Sequence, residues 1–271
     1  MKQRTRGQWR LIFIAFGAML LFLALLLWQG IRRGDAARVG VPRSPAAMGA
    51  TRLLQTPSAQ YRCTVGSTPQ ALATALKEGA LDAALLPRAL AQTLENCEIR
   101  ADIGDADMII LTRQAEKLSP GSLDGAVLTL PEALRGSPAE AMLRGVLREG
   151  EIHCAIAYGD SGDPYACDAD TAAALLSRGG WHAALSVAGA WRRAFDADPP
   201  AGLCLAVRRD YLENSGSDYA AFERALQSSL RYSAEKRKKT VAMAVAAGLA
   251  DSEDVADALY GCLDFFWREA R

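Results

Sequence analysis

The stretch ALATALKEGALDAALLP, Ala71–Pro87, holds the pattern that decides the fold. Its first half, Ala71–Gly79, places apolar side chains at helical spacing and ends in a glycine, which commonly terminates a helix. Its second half contains the apolar run Leu81–Leu86 before a proline, a pattern typical of a buried parallel strand. Asp82, near the start of this run, indicates the edge of a sheet. The stretch therefore predicts a helix, a glycine stop and a core strand in direct succession.

The same order returns about a hundred residues later in TAAALLSRGGWHAALS, Thr171–Ser186. Two such units, far apart in the chain, predict an α/β protein with two lobes. We expect residues 36–112 and 200–271 to form the first lobe together with the C-terminal helices, and residues 113–199 to form the second. A chain of this length is expected to give each lobe a core of its own.

The crossovers between the lobes are predicted from breaks in the apolar pattern. Ala106–Thr112 is predicted to be the last strand of the first part of lobe one, and the polar segment Arg113–Gly121, with its Pro-Gly turn, to lead into the second lobe. Trp191–Pro200 is predicted to return the chain to the first lobe before a strand at Leu203–Val207. Two crossovers are the connection that a hinged clamp needs.

The N-terminal segment has the features of a membrane anchor. Residues 1–10 carry four basic side chains and no acidic one, and residues 11–28 are eighteen positions without a charge. Such a run is long enough to cross a bilayer, and the basic residues before it place the N-terminus in the cytoplasm. We therefore expect a cytoplasmic tail (1–10), a transmembrane helix (11–29) and an extracytoplasmic remainder tethered to the cell membrane. A cleaved signal peptide is the alternative.

The exported part of the chain is acidic. Residues 1–33 hold six of the 31 basic residues and none of the 31 acidic ones, which leaves 25 basic against 31 acidic residues beyond them. A net charge of about minus six argues against nucleic acid as a partner. The segment Lys236–Lys239 (KRKK) is predicted to be a solvated turn, because four successive charges spread around a helix.

All six cysteines lie in the exported part. An even number allows up to three disulfides, and adjacency within the predicted lobes favours the pairs Cys63 with Cys97, Cys154 with Cys167, and Cys204 with Cys262. Buried free thiols are the alternative. Because the chain has no Cys-x-x-Cys motif and only two histidines, no zinc site is expected.

Four segments resemble one known family. They are KEGALDAALLP (Lys77–Pro87), SLDGAVLTLP (Ser122–Pro131), PAGLCLAVRRDYLEN (Pro200–Asn214) and the helical tail Tyr219–Phe266. In order and spacing they resemble the type 2 periplasmic-binding fold, and in detail the substrate-binding proteins of ABC importers in the nitrate, sulfonate, taurine and thiamine-precursor group. The resemblance implies an α/β fold of two lobes with two crossovers, preceded by one N-terminal transmembrane helix. It also implies a small-molecule ligand, an ABC permease and ATPase as partners, and no enzymatic activity.

Loops at the ends of the predicted strands supply the candidate ligand-binding residues. Three helix starts combine a hydroxyl with a proline, and helix N-termini present N–H groups and a positive dipole end. Such groups from both lobes suit a small polar or anionic ligand, with Tyr158 or Trp191 as a stacking surface. The candidates are Arg43, Ser44, Ser67, Thr68 and Arg88 from the first lobe, and Ser137, Tyr158 and Ser186 from the second. The alternative for each is a plain helix cap or an exposed side chain.

No catalytic or metal-binding motif is evident in the sequence. Gly159–Gly162 (GDSG) matches the nucleophile loop of trypsin-like proteases over four residues only. This pattern more commonly forms a plain turn. The aspartates at 160, 163, 168 and 170 lack the spacing of an EF-hand, and Asp168 or Asp170 is expected to cap a helix. No cofactor is therefore expected.

We thus expect a membrane-anchored, extracytoplasmic solute-binding protein with a monomeric ectodomain, which closes two lobes on its ligand and delivers it to an ABC importer. Two alternatives stay open. The same lobes would serve an anchored sensor or adaptor that contacts a protein. A related enzyme of thiamine-precursor synthesis requires an iron site and a reactive histidine, which a chain with two histidines fits poorly.

Overall fold

The chain folds into two β-sheets with flanking helices. The computed structural model describes residues 36–56, 58–106, 108–113 and 118–270. The predicted cytoplasmic tail (1–10) and transmembrane helix (11–29) lie outside the described residues. Within the described ranges, none of the helices has the length and apolar character required to span a bilayer.

The strands within these ranges alternate with helices along the chain. In chain order they are β1 (Ala37–Pro42), β2 (Tyr61–Gly66), β3 (Ala83–Pro87), β4 (Cys97–Asp105), β5 (Ile109–Thr112), β6 (Val127–Leu130), β7 (Ala155–Tyr158), β8 (Tyr165–Cys167), β9 (His182–Ser186), β10 (Ala201–Arg208) and β11 (Arg268–Glu269). The first sheet has the order β11-β4-β10-β3-β1-β2, and the second has the order β7-β6-β8-β5-β9.

The helices cover the sheets and form the C-terminal part of the described chain. They are α1 (Thr51–Gln55), α2 (Pro69–Lys77), α3 (Arg88–Ala91), α4 (Pro138–Glu149), α5 (Ala169–Ser177), α6 (Val187–Phe195), α7 (Arg209–Asn214), α8 (Gly216–Glu235), α9 (Arg237–Ala246) and α10 (Glu253–Tyr260). Short 3₁₀ turns occupy Pro45–Ala50, Pro120–Leu123 and Glu132–Leu134. The mixture of helices with parallel strands confirms the predicted α/β class.

The deciding stretch lies inside the first sheet. α2 begins after Thr68, whose hydroxyl accepts a hydrogen bond from the Ala71 N–H at 3.1 Å. Just beyond its end, Gly79 adopts a φ of +77°, a conformation that glycine reaches without strain. β3 follows and pairs in parallel with β1 and antiparallel with β10. The predicted succession of helix, glycine stop and core strand is confirmed.

Asp82 does not mark the edge of the sheet, and this interpretation was wrong. β3 lies between β10 and β1, and Asp82 is buried. Its carboxylate accepts hydrogen bonds from the Arg38 backbone N–H at 2.9 Å and from the Arg38 guanidinium at 2.7 and 3.0 Å. Because a carboxylate with such partners is buried at much lower cost than an isolated one, it can lie directly before an interior strand.

The strand predicted at Ala106–Thr112 belongs to the second sheet, which corrects its expected place in the first lobe. β5 pairs antiparallel with β8 and β9. The last strand of the first sheet before the crossover is β4, which pairs with β10 and ends at Asp105. The first crossover therefore precedes β5, and not the polar segment Arg113–Gly121. Since all four residues of β5 are buried, its sequence carries no sign of which strands it pairs with.

The two connections between the sheets run side by side. The Ala106 N–H donates a hydrogen bond to the Pro200 carbonyl at 2.7 Å, and Ala201 at the start of β10 pairs with Asp105. Gly202 packs directly against this backbone, because a Cβ added there would collide with backbone atoms of the neighbouring connection. The close approach of the two connections thus requires a glycine.

The two sheets do not have separate cores, in contrast to the expectation from chain length. The largest apolar cluster includes β1 and the C-terminal helices, and it extends to Ile109 and Tyr165 of the second sheet and Ala172 of α5. Each sheet has a further cluster on its other face, around Leu86 in the first and Met142 in the second. The core is shared because α5 packs against α10 as well as against its own sheet.

The predicted disulfide pairs are wrong. Cys63, Cys97, Cys154, Cys204 and Cys262 carry free thiols. Cys63 lies on β2 and Cys97 on β4, and three strands lie between them; at about 4.8 Å per strand, this separation exceeds the reach of a disulfide. Burial raises the pKa of both Cys63 and Cys204 to about 12, so these thiols stay protonated at neutral pH.

Candidate functional site

A cavity of about 280 Å³ lies between the two sheets. β1, β3 and β4 end at this cavity and β10 begins there, so it lies at the carboxyl ends of parallel strands. Open α/β sheets generally bind their ligands at this edge. The second sheet contributes the starts of α5 and α6 to the wall. The lining combines apolar and small residues, such as Pro42 and Leu203, with four aspartates.

Asp105 is the most buried of these aspartates. Its side chain is only 4% exposed, and Oδ2 forms an ion pair with Arg192. Oδ1 has no hydrogen-bond partner among the described residues. Burial raises the pKa of Asp105 to about 7; the charge of Asp264 adds to this rise, whereas Arg192 and Arg268 oppose it. Asp105 therefore titrates near neutral pH.

Two further aspartates stand at the start of α5. Asp168 caps this helix by accepting a hydrogen bond from the Thr171 N–H at 2.7 Å, which confirms the predicted capping role. Asp170, in the first turn, lies near the hydroxyl of Ser44, which follows β1 of the first sheet. Partial burial raises the pKa of Asp170, the Ser44 hydroxyl opposes the rise, and the charge of Asp168 adds to it. The start of α5 thus presents two carboxylates to the cavity.

Arg192 on α6 connects the second sheet to the first. Its guanidinium forms ion pairs with Asp105 and with Asp264, which follows α10. One cation is therefore shared between two carboxylates. No lysine, arginine or histidine is among the described residues that line the cavity. The walls consequently present a negative field to any solute that enters.

Four of the predicted ligand residues lie at or beside this cavity. Ser44 lines the cavity directly, and Ser186 caps α6, the start of which forms part of the cavity wall. Thr68 and the exposed Ser67 directly precede Pro69, another lining residue. The hydroxyls of Ser44, Thr68 and Ser186 each accept a hydrogen bond from an N–H in the first turn of their own helix, at 3.1 to 3.2 Å. These three serve as caps, the alternative already considered for them.

Arg88 and Trp191 lie instead at a second cavity, of about 600 Å³. Arg88 forms an ion pair with Asp102, which Arg268 also approaches at 3.5 Å. The ring of Trp191 packs against Phe195 with centroids 4.2 Å apart. The charges of this second cavity are thus largely paired with one another, and Trp191 is not placed to stack on a solute in the first cavity.

The remaining predicted residues are engaged outside the lining of the first cavity. Ser137 caps α4 by accepting a hydrogen bond from the Glu140 N–H at 3.1 Å. The Tyr158 hydroxyl donates to the Glu140 carboxylate and accepts from Arg144 at 3.1 Å. Arg43 is exposed, and its Nε donates to a backbone carbonyl ahead of α10 at 3.1 Å. The structure therefore does not bring the eight candidates together in one site.

Sequence reasoning missed Asp105 and Arg192 as site residues. The strand β4, which carries Asp105, was not predicted, although residues 97–103 alternate apolar and polar side chains at the period of a strand. An alternating segment that ends in an aspartate is the signal that points to this residue. Arg192 joins its partner Asp264 across 72 positions of the chain, and no local pattern encodes such a contact.

Comparisons with known proteins place the fold. No family model matches the chain, and no curated protein matches it in sequence. An ABC transporter structure from Parabacteroides distasonis is similar with a TM-score of 0.63 and 13% identity, covering 88% of this chain and 87% of that one. The ligand-binding component of an ABC-type import system from Staphylococcus aureus, with zinc bound, has a TM-score of 0.60 and 15% identity, covering 86% of each chain.

A third similar structure is the periplasmic aliphatic sulphonate binding protein SsuA from Escherichia coli. It has a TM-score of 0.57 and 15% identity, and the match covers 88% of this chain and 81% of that one. At such identities the likeness concerns the fold alone. The chain thus has the fold of periplasmic substrate-binding proteins of ABC transporters, which confirms the resemblance found in the sequence.

Proposed function

We propose that this protein is the solute-binding component of an ABC importer and that it captures a small polar molecule in the cavity between its sheets. The observation that carries the proposal is the position of this cavity, at the carboxyl ends of β1, β3 and β4 and lined from both sheets. A solute there contacts both sides at once, so binding favours the arrangement in which the sides are close. The similarity of the fold to proteins of ABC import systems supports the same function.

The proposal is of a binding protein and not of an enzyme. The hydroxyls at the cavity serve as helix caps, and Asp105 and Asp264 share the guanidinium of Arg192. A catalytic site needs a nucleophile or base poised against a reacting atom. Groups engaged as caps and ion pairs instead hold the shape of a pocket.

The proposed partners are an ABC permease and its ATPase, and the proposed location is the outer side of the cell membrane. A single N-terminal helix serves as the tether, and the ectodomain is monomeric. The eighteen uncharged positions of residues 11–28 and the basic residues before them support this topology. A reporter enzyme that folds only after export should be active when fused to the C-terminus, whereas activity of a cytoplasm-specific reporter at that end would contradict it.

Thermal unfolding of the full chain in detergent, in the presence of sulfonates, amines, pyrimidines or amino acids, tests the binding function. A solute at a hundred times its Kd should add about 2.7 kcal/mol of stability and raise the Tm. Ala46→Phe fills the cavity wall and should abolish the shift, whereas Ala141→Phe on an exposed face of α4 should retain it. No shift with any class, or a shift that survives Ala46→Phe, would count against the proposal.

A further inference from the structure

The cavity walls carry more negative than positive charge. Asp105 and Asp264 come from the first sheet and the segment after α10, and Asp168 and Asp170 come from the start of α5. Arg192 pairs with the first two. Within the described residues, no cation forms an ion pair with either of the other two. The four carboxylates of the walls thus outnumber the two guanidinium groups, of Arg192 and Arg268, that act on them.

The burial of Asp105 and its unpaired carboxylate oxygen point to a ligand independently of the charge count. Its side chain is only 4% exposed, the residue lines the cavity, and Oδ1 lacks a hydrogen-bond donor within the described part of the chain. A buried carboxylate oxygen without a donor is costly. A solute N–H group that reaches Oδ1 would remove this cost.

An anionic solute meets carboxylates instead of cations at this cavity. Asp168 occupies the start of α5, where a bound anion would otherwise sit, and no lysine, arginine or histidine is among the described lining residues. Four carboxylates would also repel a negative charge at close range. Of the small polar or anionic ligands expected from the hydroxyls and helix starts, the charge of the walls therefore disfavours the anionic ones.

Building on the proposed function, we propose that the solute is a small organic cation whose N–H groups are bound by Asp105, Asp168 and Asp170. Ammonium N–H groups match carboxylate acceptors, and hydrogen bonds between charged groups are stronger than neutral ones. Apolar wall residues such as Pro42 and Leu203 cover the carbon skeleton. A volume of about 280 Å³ is at the lower end of the range of ligand pockets, so the cation is small.

A metal ion is a poorer occupant than an organic cation. No group of three or more histidine, cysteine, aspartate or glutamate side chains within the described residues is placed to hold a metal. Calcium and magnesium require several oxygen ligands around one point. The aspartates instead come from separate walls, a spread that suits an extended molecule with N–H donors.

Calorimetric titration of the full chain in detergent tests the assignment. The probes are 1,3-diaminopropane and 1,4-diaminobutane, with neutral 1,4-butanediol and anionic ethanesulfonate as counterparts of similar size. At least one amine should bind, and the diol and the sulfonate should bind at least a hundredfold more weakly. The affinity of the amine should also rise as Asp105 loses its proton, between pH 6 and 8; the charges that face Asp105 are Arg192, Asp264 and Arg268.

Charge-neutralising variants identify the site. Asp168→Asn keeps a helix cap, since asparagine caps as well as aspartate, and Asp170→Asn keeps an acceptor for Ser44; each should weaken amine binding about tenfold. Asp160→Asn removes the same charge from an exposed loop and should leave the affinity unchanged. Thermal unfolding without ligand checks that each variant folds.

The outcomes separate this inference from the proposed function. Tighter binding of ethanesulfonate or of the diol than of any amine overturns the cation assignment and leaves the solute-binding function in place. Amine binding that persists in the double variant Asp168→Asn/Asp170→Asn also overturns it, as does calcium or zinc binding that the double variant abolishes. Failure of every amine, neutral and anionic probe overturns the inference and counts against the proposed function as well.

Discussion

At the scale of single residues, Asp105 shows how burial and partners compete over one proton. Loss of water favours the neutral acid, and the nearby Asp264 carboxylate acts in the same direction. Arg192 and Arg268 favour the anion but do not compensate fully, so the pKa rises to about 7. The carboxyl group of Asp105 therefore changes charge close to neutral pH.

The free energy of unfolding should fall as the pH rises from 5 to 8. An ordinary aspartate has a pKa of 3.8, whereas the pKa of Asp105 in the folded chain is about 7. Between these two values the folded state holds a proton that the unfolded state releases. The stabilisation from this proton is present at low pH and is lost as the pH passes through 7. A loss on the order of 2 to 3 kcal/mol is expected, measured by urea unfolding at constant ionic strength.

Asp105→Asn is the matched control for this titration, because it removes the titrating proton and keeps the shape. The dependence on pH between 5 and 8 should flatten in the variant. The carboxylates whose pKa is lowered, Glu140, Asp210 and Asp257, lose their contribution only at more acidic pH. Stability of the natural chain that increases from pH 5 to 8, or a slope unchanged by Asp105→Asn, would contradict the account.

Gly202 is predicted to tolerate no side chain. A Cβ at this position would overlap backbone atoms of Asp105 and Ala106. Backbone atoms cannot move away by a change of rotamer, as the end of a flexible side chain can. Gly202→Ala should lower the free energy of unfolding by about 1 to 3 kcal/mol, measured by chemical denaturation. Gly121→Ala is the control, since the nearest atom to its Cβ would lie 3.9 Å away; equal effects of the two substitutions would refute the packing argument.

At the scale of elements, hydroxyl caps at the starts of helices account for several residues that the sequence suggested as ligand contacts. Thr68→Ala should cost about 1 kcal/mol, because it leaves the Ala71 N–H of α2 without its acceptor. Ser67→Ala, at the exposed neighbouring position, should change stability by much less. Urea unfolding of both variants measures the difference, and a larger loss for Ser67→Ala would exclude the assigned capping role.

Elements with a local signal could be predicted from the sequence. The three helix starts predicted from a hydroxyl followed by a proline are all present, and the hydroxyls of Ser44, Thr68 and Ser137 accept hydrogen bonds in their helices. These features depend on neighbouring residues only, through alternation, apolar spacing and the preference of hydroxyls for helix starts. The fold class followed from the same signals.

Features that depend on distant contacts could not be predicted. The pairing of β5 with the second sheet and the interior position of Asp82 both depend on partners far along the chain. β8 is three residues long and is not among the predicted strands. The charge of the cavity likewise results from Asp105, Asp264 and α5, which only the tertiary structure brings together.

At the scale of the whole molecule, the sheets are held together by side-chain contacts as well as by the two chain connections. Part of the core is shared through α5 and α10, and Arg192 pairs across to Asp105 and Asp264. Movement of one sheet relative to the other would have to work against these contacts. A solute in the cavity acts on the same boundary, since it contacts groups from both sides.

Arg192→Gln should destabilise the protein more at pH 8 than at pH 5. At pH 8 it leaves the buried Asp105 charged and without its cation, a loss of about 3 kcal/mol. At pH 5 the carboxyl group can take up a proton instead, which limits the cost. Arg62→Gln, at an exposed position of β2, should have little effect at either pH, and an equal loss for Arg192→Gln at both would contradict the assigned ion pair.

Hydrogen exchange of the full chain, with and without a solute that raises its Tm, tests most directly whether the cavity between the sheets is the binding site. The account predicts slower exchange on both sides of the cavity, at residues 103–106 of the first sheet and at residues 170–174 of α5. Distant amides, such as those of α4, should exchange at unchanged rates. Protection limited to one side, or found only away from the cavity, would contradict the central claim.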